Sequence, residues 1–138
     1  MAERFDVAAR RHLDTAELLE REGMIEDAGY HYGLVGENAV KQSIVMACGG
    51  GPLSRVFWKH FGSGLHEALQ TDLDAAVLLA NGRLGGGLAL DRIAGQFGSR
   101  FRYWHVNIRY ADTAFPVQST QIAAWKADAV ALLNGGIF

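Results

Sequence analysis

The first part of the chain repeats apolar residues at the spacing of one face of an α-helix. Small or apolar side chains recur at intervals of three and four over residues 3–22, which predicts an amphipathic helix there. Gly23 supplies its stop. His12 falls on the apolar face, where we expect a hydrogen-bonded histidine in or beside the core rather than a ligand. The face consists of Phe5, Ala8, Ala9, His12, Leu13, Ala16 and Leu19.

A second helix is predicted over residues 25–48, because no proline interrupts this segment and a triple glycine followed by Pro52 ends it. Its apolar positions form two stripes rather than one, so we expect the central helix of the domain. One stripe holds Ala28, Tyr32, Val35, Ala39, Gln42 and Met46. The other holds Tyr30, Leu34, Glu37, Lys41, Ile44 and Cys48.

A track of small residues lies between these stripes at Gly29, Gly33 and Gly36. Glycine inside a helix costs up to ~1 kcal/mol relative to alanine. Three such residues therefore predict that another backbone or a ligand approaches this helix closely.

The second stripe also carries a charge pair, Glu37 and Lys41, in the favourable order for a helix. An exposed pair of this kind contributes only ~0.2 to 0.5 kcal/mol, too little to account for charges in so apolar a segment. We therefore predict a buried, mutually paired structural bridge that braces the bundle. The alternative is that both groups face a polar cleft.

Later segments continue the helical pattern with shorter elements. One or two helical turns are predicted from Ser54, a helix over 65–80 and a short helix within 88–97. The last helix is predicted over 120–133, with a cap at Ser119 or Thr120 and a stop at Asn134-Gly135. Its apolar register is Ile122, Trp125, Ala129 and Leu132. Four main helices without a strand pair predict an all-α bundle.

Length and composition narrow the class of protein. A chain of 138 residues, 49% hydrophobic and 20% charged, is expected to fold as one domain spanning 1–138. It holds no apolar run of the ~20 residues that a spanning helix needs. The beginning of the chain does not resemble a signal peptide, and the lone Cys48, expected in the core, excludes an internal disulfide. Cytoplasmic residence is the expectation.

The net charge of −2 is unevenly distributed. Residues 1–27 carry eight acids and four arginines, a balance of −4. Residues 83–112 carry five arginines and two aspartates, a balance of +3. Arginines that share a face attract phosphate, whereas scattered ones are only solvated.

Familiar catalytic signatures are incomplete in this chain. The segment HEALQ at 66–70 begins like a zinc-binding HExxH helix but has Gln70 where the second histidine must stand, so no metal site is predicted. The glycine clusters match neither a phosphate-binding loop nor a dinucleotide fingerprint, and no cofactor is expected.

Two arginine–histidine pairs remain, each with four residues between its members: Arg55 with His60, and Arg100 with His105. Arginine neutralises phosphate bidentately and histidine moves protons near neutral pH, so the combination suits phosphodiester chemistry. The second pair is the stronger candidate, because arginines and aromatic side chains able to stack on bases surround it. Its neighbours are Arg102, Tyr103, Trp104, Arg109 and Tyr110, although the aromatic ones are equally suited to a core.

Residues 11–47, RHLDTAELLEREGMIEDAGYHYGLVGENAVKQSIVMA, resemble the first helical hairpin of HEPN domains, the prokaryotic and eukaryotic nucleotide-binding helical family. The segment YWHVNIRY at 103–110 is similar to an element found before the last helix in one stand-alone branch of that family. The positions that match the outline of the hairpin are His12, Ala16, Leu18, Leu19, Ala28, Tyr30, Glu37 and Lys41.

The resemblance implies an antiparallel four- or five-helix up-and-down bundle that forms a homodimer. It also implies RNA cleavage, nucleotide binding or a place in a toxin–antitoxin or defence system. Metal-independent ribonucleases of the family use an arginine and a histidine at the spacing of Arg100 and His105. The chain differs from the family at Phe101, where a polar residue is common, and at Asn107, where some members carry a tyrosine that the partner enzyme modifies.

Two functions follow as expectations. The first is an RNA- or nucleotide-binding protein whose Arg100 and His105 cleave RNA, with Arg102, Trp104, Arg109 and Tyr110 as binding residues. The second is a non-catalytic dimeric module that pairs with a nucleotidyltransferase or another partner. In that case the glycine track and the aromatic side chains serve a helix–helix interface. A small-molecule or nucleotide pocket between helices is a third possibility.

Overall fold

The computed structural model describes residues 4–48, residue 104 and residues 119–135, with side chains described for 4–43, 104 and 119–134. This part of the chain is helical and contains no strand. Its helices are α1 (Phe5–Arg21), α2 (Ile25–Cys48) and α3 (Ser119–Gly135). The all-helical class predicted from the sequence is thereby shown for the described residues.

Helix α1 lies within the predicted range of 3–22, with both ends within two residues of the prediction, and it buries residues of the predicted apolar face. Phe5, Ala9 and Ala16 are its buried residues. The helix ends where Gly23 takes a φ of 78°, a left-handed conformation that glycine adopts without the steric cost of a Cβ atom. The Met24 backbone N–H donates to the Leu19 carbonyl at 2.9 Å and helps close the turn into α2. The predicted stop at Gly23 is confirmed.

Helix α2 is the central element of the described fold, with α1 and α3 both packed against it. Early residues of α1 meet late residues of α2: Phe5 lies near Lys41, and His12 contacts His31. The short turn between the helices and this order of contacts make α1 and α2 an antiparallel hairpin. Each predicted stripe contributes buried residues, Ala28, Tyr32, Val35 and Ala39 from one and Leu34, Glu37 and Lys41 from the other. Tyr30 and Gln42, which were predicted to share these stripes, are only partly buried.

Helix α3 packs on α2 with the register that its sequence predicts. The residues predicted to share its inner face, Ile122, Trp125, Ala129 and Leu132, are all buried, as is Leu133. The helix begins at Ser119 and ends at Gly135, within two residues of the predicted limits of 120 and 133. Asn134 and Gly135, predicted as its stop, are its last two residues.

The other predicted helical segments, from Ser54, over 65–80 and within 88–97, lie outside the described residues. The side chain of Cys48, predicted to be in the core, does too. Among the helices that are described, none is both long enough and apolar enough to cross a membrane.

Candidate functional site

Most of the residues predicted to act on RNA lie outside the described part of the chain. These are Arg100, Arg102, His105, Arg109 and Tyr110, together with Tyr103 and the alternative pair of Arg55 and His60. Their predicted roles stay predictions. Trp104, from the same segment, is described.

Trp104 is buried, with 2% of its surface exposed. Its indole N–H donates to the Gly29 carbonyl of α2 at 2.9 Å, so the polar atom of the ring has a partner. One ring face is turned toward Tyr30, with ring centroids 6.5 Å apart and planes 10° from parallel. A base-stacking residue needs an exposed ring face, and Trp104 has none. The predicted stacking role therefore does not fit its position, and the ring instead anchors residue 104 to α2.

The glycine track explains how the indole comes so close to the helix. A Cβ atom on Gly33 would overlap the six-membered and pyrrole parts of the Trp104 ring. On Gly29 it would lie 2.8 Å from Ile122 Cδ1 and 2.9 Å from the Trp125 ring. A close approach was predicted here, but side chains of the same chain make it, in place of a backbone or a ligand. The track is thus covered at these two positions and offers no surface there to a second copy.

The predicted charge pair of Glu37 and Lys41 is brought together in α2. Lys41 Nζ donates to Glu37 Oε1 at 2.8 Å, and the side chains are 7% and 1% exposed respectively. The Lys41 ammonium also lies 5.7 Å from the centroid of the Phe5 ring of α1, within cation–π range. Both charges are therefore enclosed in the hairpin rather than facing open solvent.

A histidine pair joins the two helices of the hairpin. His12 Nδ1 of α1 and His31 Nδ1 of α2 are 3.0 Å apart, and both side chains are partly buried. The expectation for His12, a hydrogen-bonded histidine at the edge of the core, is confirmed. Burial lowers the pKa of His31, and the Asp27 carboxylate opposes that shift without reversing it.

A second polar contact between these helices joins Tyr32 and Glu20. The Tyr32 hydroxyl donates to Glu20 Oε1 at 2.6 Å. Burial of the phenol raises the pKa of Tyr32, and the hydrogen bond to Glu20 adds to that increase. The hydroxyl therefore stays protonated and remains a donor across the physiological pH range. The partly exposed Glu20 thus serves as the hydrogen-bond partner of the buried Tyr32.

Sequence reasoning missed His31 as the partner of His12, and it missed the contact of Tyr32 with Glu20. Each pair joins different helices, so no fixed sequence spacing could reveal it. The feature of the sequence that could have indicated these pairs is the predicted antiparallel hairpin, which places the middle of α1 against the first half of α2. In the described part of the chain, no group of three or more metal-binding side chains converges.

The chain matches no protein-family model, no curated protein and no solved structure.

Proposed function

We propose that this chain is a HEPN-like RNA-binding protein that cleaves RNA without a metal ion, with Arg100 and His105 as its catalytic residues. The observation that carries the proposal is the hairpin of α1 and α2. Residues 11–47, which hold the resemblance to the first hairpin of that family, lie within two antiparallel helices joined by a short turn. The pair of Glu37 and Lys41, part of the same outline, is buried and in contact.

A second observation supports the choice between the two arginine–histidine pairs. Trp104 lies between Arg100 and His105 in the sequence, and its own buried ring packs on the hairpin at Gly29 and Gly33. Catalytic side chains are most effective on chain segments that are held by a packed core.

The proposed chemistry is an internal transesterification of RNA. His105 removes the proton from the ribose 2′-hydroxyl, the 2′-oxygen bonds to the adjacent phosphorus, and the bond from phosphorus to the 5′-oxygen of the next nucleotide breaks. The leaving oxygen takes up a proton, and the products are a 2′,3′-cyclic phosphate and a 5′-hydroxyl. Arg100 neutralises the charge that develops on the phosphate oxygens. Arg102, Arg109 and Tyr110 bind the neighbouring nucleotides.

The proposal includes a four- or five-helix antiparallel bundle and a homodimer, as the resemblance implies. Its setting is a toxin–antitoxin or defence system, with a nucleotidyltransferase as the partner of the non-catalytic alternative. At Gly29 and Gly33 the glycine track does not support that alternative, because Ile122, Trp125 and Trp104 occupy the surface it was expected to offer there. Light scattering at micromolar concentration measures the dimer directly, and a strict monomer would contradict this part of the proposal.

Cleavage is tested by incubating the purified chain with mixed RNA in the presence of a chelator. We expect cyclic-phosphate products from the unaltered protein and a loss of at least ~100-fold in rate in His105→Ala, since positioned acid–base catalysis contributes about that much. His60→Ala is the matched control, because it removes a histidine from the other arginine–histidine pair and should keep the activity. Equal background cleavage by the unaltered protein and His105→Ala would end the ribonuclease proposal. Loss in His60→Ala alone would move the site to the other pair.

A further inference from the structure

The contact between His12 and His31 has the geometry of a hydrogen bond between two imidazole rings. The two Nδ1 atoms are 3.0 Å apart, whereas the ring centroids are 5.1 Å apart, so the nitrogens lie between the rings. The ring planes are tilted by 37°, which excludes parallel stacking. The two rings therefore meet through their Nδ1 atoms.

Such a contact requires the two histidines to be in different tautomers. A neutral imidazole has one N–H donor and one nitrogen acceptor. One of the two rings must carry its proton on Nδ1 and donate it, while the other keeps a lone pair on Nδ1 and accepts it. The pair in its neutral form thus holds one proton between the helices.

Adding protons to the pair has two different consequences. A first added proton goes to the second nitrogen of the donor ring and leaves the shared bond in place, now with a charged donor and a neutral acceptor. A second added proton occupies the Nδ1 of the acceptor ring. Both Nδ1 atoms then carry hydrogen, neither can accept, and two cations face each other at the contact distance. The doubly protonated pair cannot keep this contact.

Among the described residues, the groups around the pair come from both helices of the hairpin. On α2, Asp27 acts electrostatically on His31, and the Tyr30 ring stands edge-on to it with centroids 5.2 Å apart. On α1, the described contact of His31 is with His12. Gly29, which faces Ile122 and Trp125 of α3, is two residues before His31 and so about 200° away around the helix. The described residues of α3 are therefore on the far side of α2.

We infer that His12 and His31 form a pH-sensitive joint between α1 and α2, closed by one shared proton at neutral pH and opened when both rings become cations in acid. The inference concerns the stability of the hairpin and is independent of the proposed RNA cleavage. It assigns a role to two side chains that the proposed chemistry does not use.

The direction of the pH dependence follows from linkage. Burial places the pKa of His31 below its ordinary value of about 6.5. As the pH falls through 6.5, the unfolded chain binds the proton first, so the folded state loses stability relative to it. The loss continues until the pH passes below the pKa of the folded chain. The stabilisation is thus fully present above about 6.5 and is lost on the acid side.

Nitrogen NMR of the full chain tests the shared proton directly. At about pH 7.5 we expect one of the two histidines as the Nδ1–H tautomer and the other as the Nε2–H tautomer, with proton uptake in two steps more than about one pH unit apart. The two rings are identified by sequential assignment among the five histidines. Two Nε2–H tautomers that titrate together near pH 6.5 would overturn the inference, and this measurement needs no variant.

Unfolding in urea from about pH 8 to about pH 5 tests the effect on stability. The unaltered chain is compared with His12→Asn, His31→Asn and the double variant, which contains neither imidazole and serves as the control. The four proteins give the coupling free energy between residues 12 and 31. We expect it to be favourable above about pH 7 and to be zero at about pH 5. A coupling that is zero at all pH values, or the same at all of them, would contradict the pH-sensitive joint.

Discussion

The two sides of α2 are packed in different ways. Toward α1, polar atoms meet in defined pairs: His31 with His12, and Tyr32 with Glu20, beside the ion pair of Lys41. Toward α3 and Trp104, glycines allow large side chains to approach the helix axis closely, as at Gly29 and Gly33.

This difference shows that the position of one helix can be fixed by polar pairing on one side and by close packing on the other. The polar side depends on charge and protonation, because each contact needs a particular donor and acceptor. The glycine side depends on shape, because the indole and the branched side chains fit only where no Cβ atom stands. Changes of pH should therefore affect the contacts between α1 and α2. Changes of side-chain volume should affect the packing of α3 and Trp104 on α2.

The largest effect is expected from breaking the buried ion pair. Lys41→Met leaves the Glu37 carboxylate in the interior without its ammonium partner, and we expect a loss of about 3 to 5 kcal/mol in the free energy of unfolding. The double variant Glu37→Gln with Lys41→Met should be more stable than the single variant, because no charge is then buried. Urea unfolding followed by circular dichroism measures both.

Arg4→Ala is the matched control for that experiment. Arg4 and Asp6 form an ion pair of similar length, 3.1 Å, but their side chains are 69% and 30% exposed. Solvent screens this pair, so no measurable change in stability is expected. Equal melting temperatures for the single and double variants at Glu37 and Lys41 would show that the buried pair is not coupled.

A smaller loss is expected from filling the glycine track. Alanine normally stabilises a helix relative to glycine by up to ~1 kcal/mol, but a Cβ atom at residue 33 overlaps the Trp104 ring. Gly33→Ala should therefore destabilise the protein by about 1 to 3 kcal/mol, the usual cost of overpacking. Chemical denaturation is the measurement.

Two comparisons make the test at Gly33 specific. Gly29→Ala should cost less, because its Cβ atom would meet the flexible end of Ile122 and the edge of the Trp125 ring. Replacing Trp104 by leucine should recover part of the loss in Gly33→Ala, since it removes the atoms that the new Cβ atom overlaps. A Gly33→Ala protein more stable than the unaltered one would refute the close packing.

The smallest of these effects is expected on the polar side at the surface. Tyr32→Phe removes the hydroxyl that donates to Glu20, while Glu20 stays partly exposed and can bind water instead. We expect a loss of about 1 kcal/mol in thermal or urea unfolding.

Tyr30→Phe is the control, because the contacts described for Tyr30 are made by its ring with His31 and Trp104. Its change should stay within about 0.5 kcal/mol. If both tyrosine variants behave alike, the Tyr32 hydrogen bond contributes nothing to the hairpin.

Much of the local structure could be predicted from the sequence. The bounds of α1, α2 and α3, the stop at Gly23 and the inner face of α3 follow from helical periodicity and from glycine conformation, which are properties of short segments. The charge pair in α2 was also visible, because Glu37 and Lys41 are one helical turn apart.

The candidate site was less predictable for a physical reason. Arginine–histidine spacing identifies Arg100 and His105 as a chemical possibility, but it does not give the direction of their side chains or the groups around them. Trp104 shows the difficulty, since its sequence context suited either a base-stacking surface or a core. Its contacts with Gly29 and Gly33, more than seventy residues earlier in the chain, distinguish the two.

The sequence by itself thus determined where the described helices begin and end, and which residues share a face, because hydrogen bonding and periodicity within a helix are local. Only the tertiary structure decided that residues of both stripes of α2 are buried, that His12 meets His31, and that Gly29 and Gly33 receive Trp104 and the side chains of α3. Those outcomes depend on how helices distant in sequence pack together. They are set by the volume and polarity of side chains that meet in space, which local periodicity does not contain.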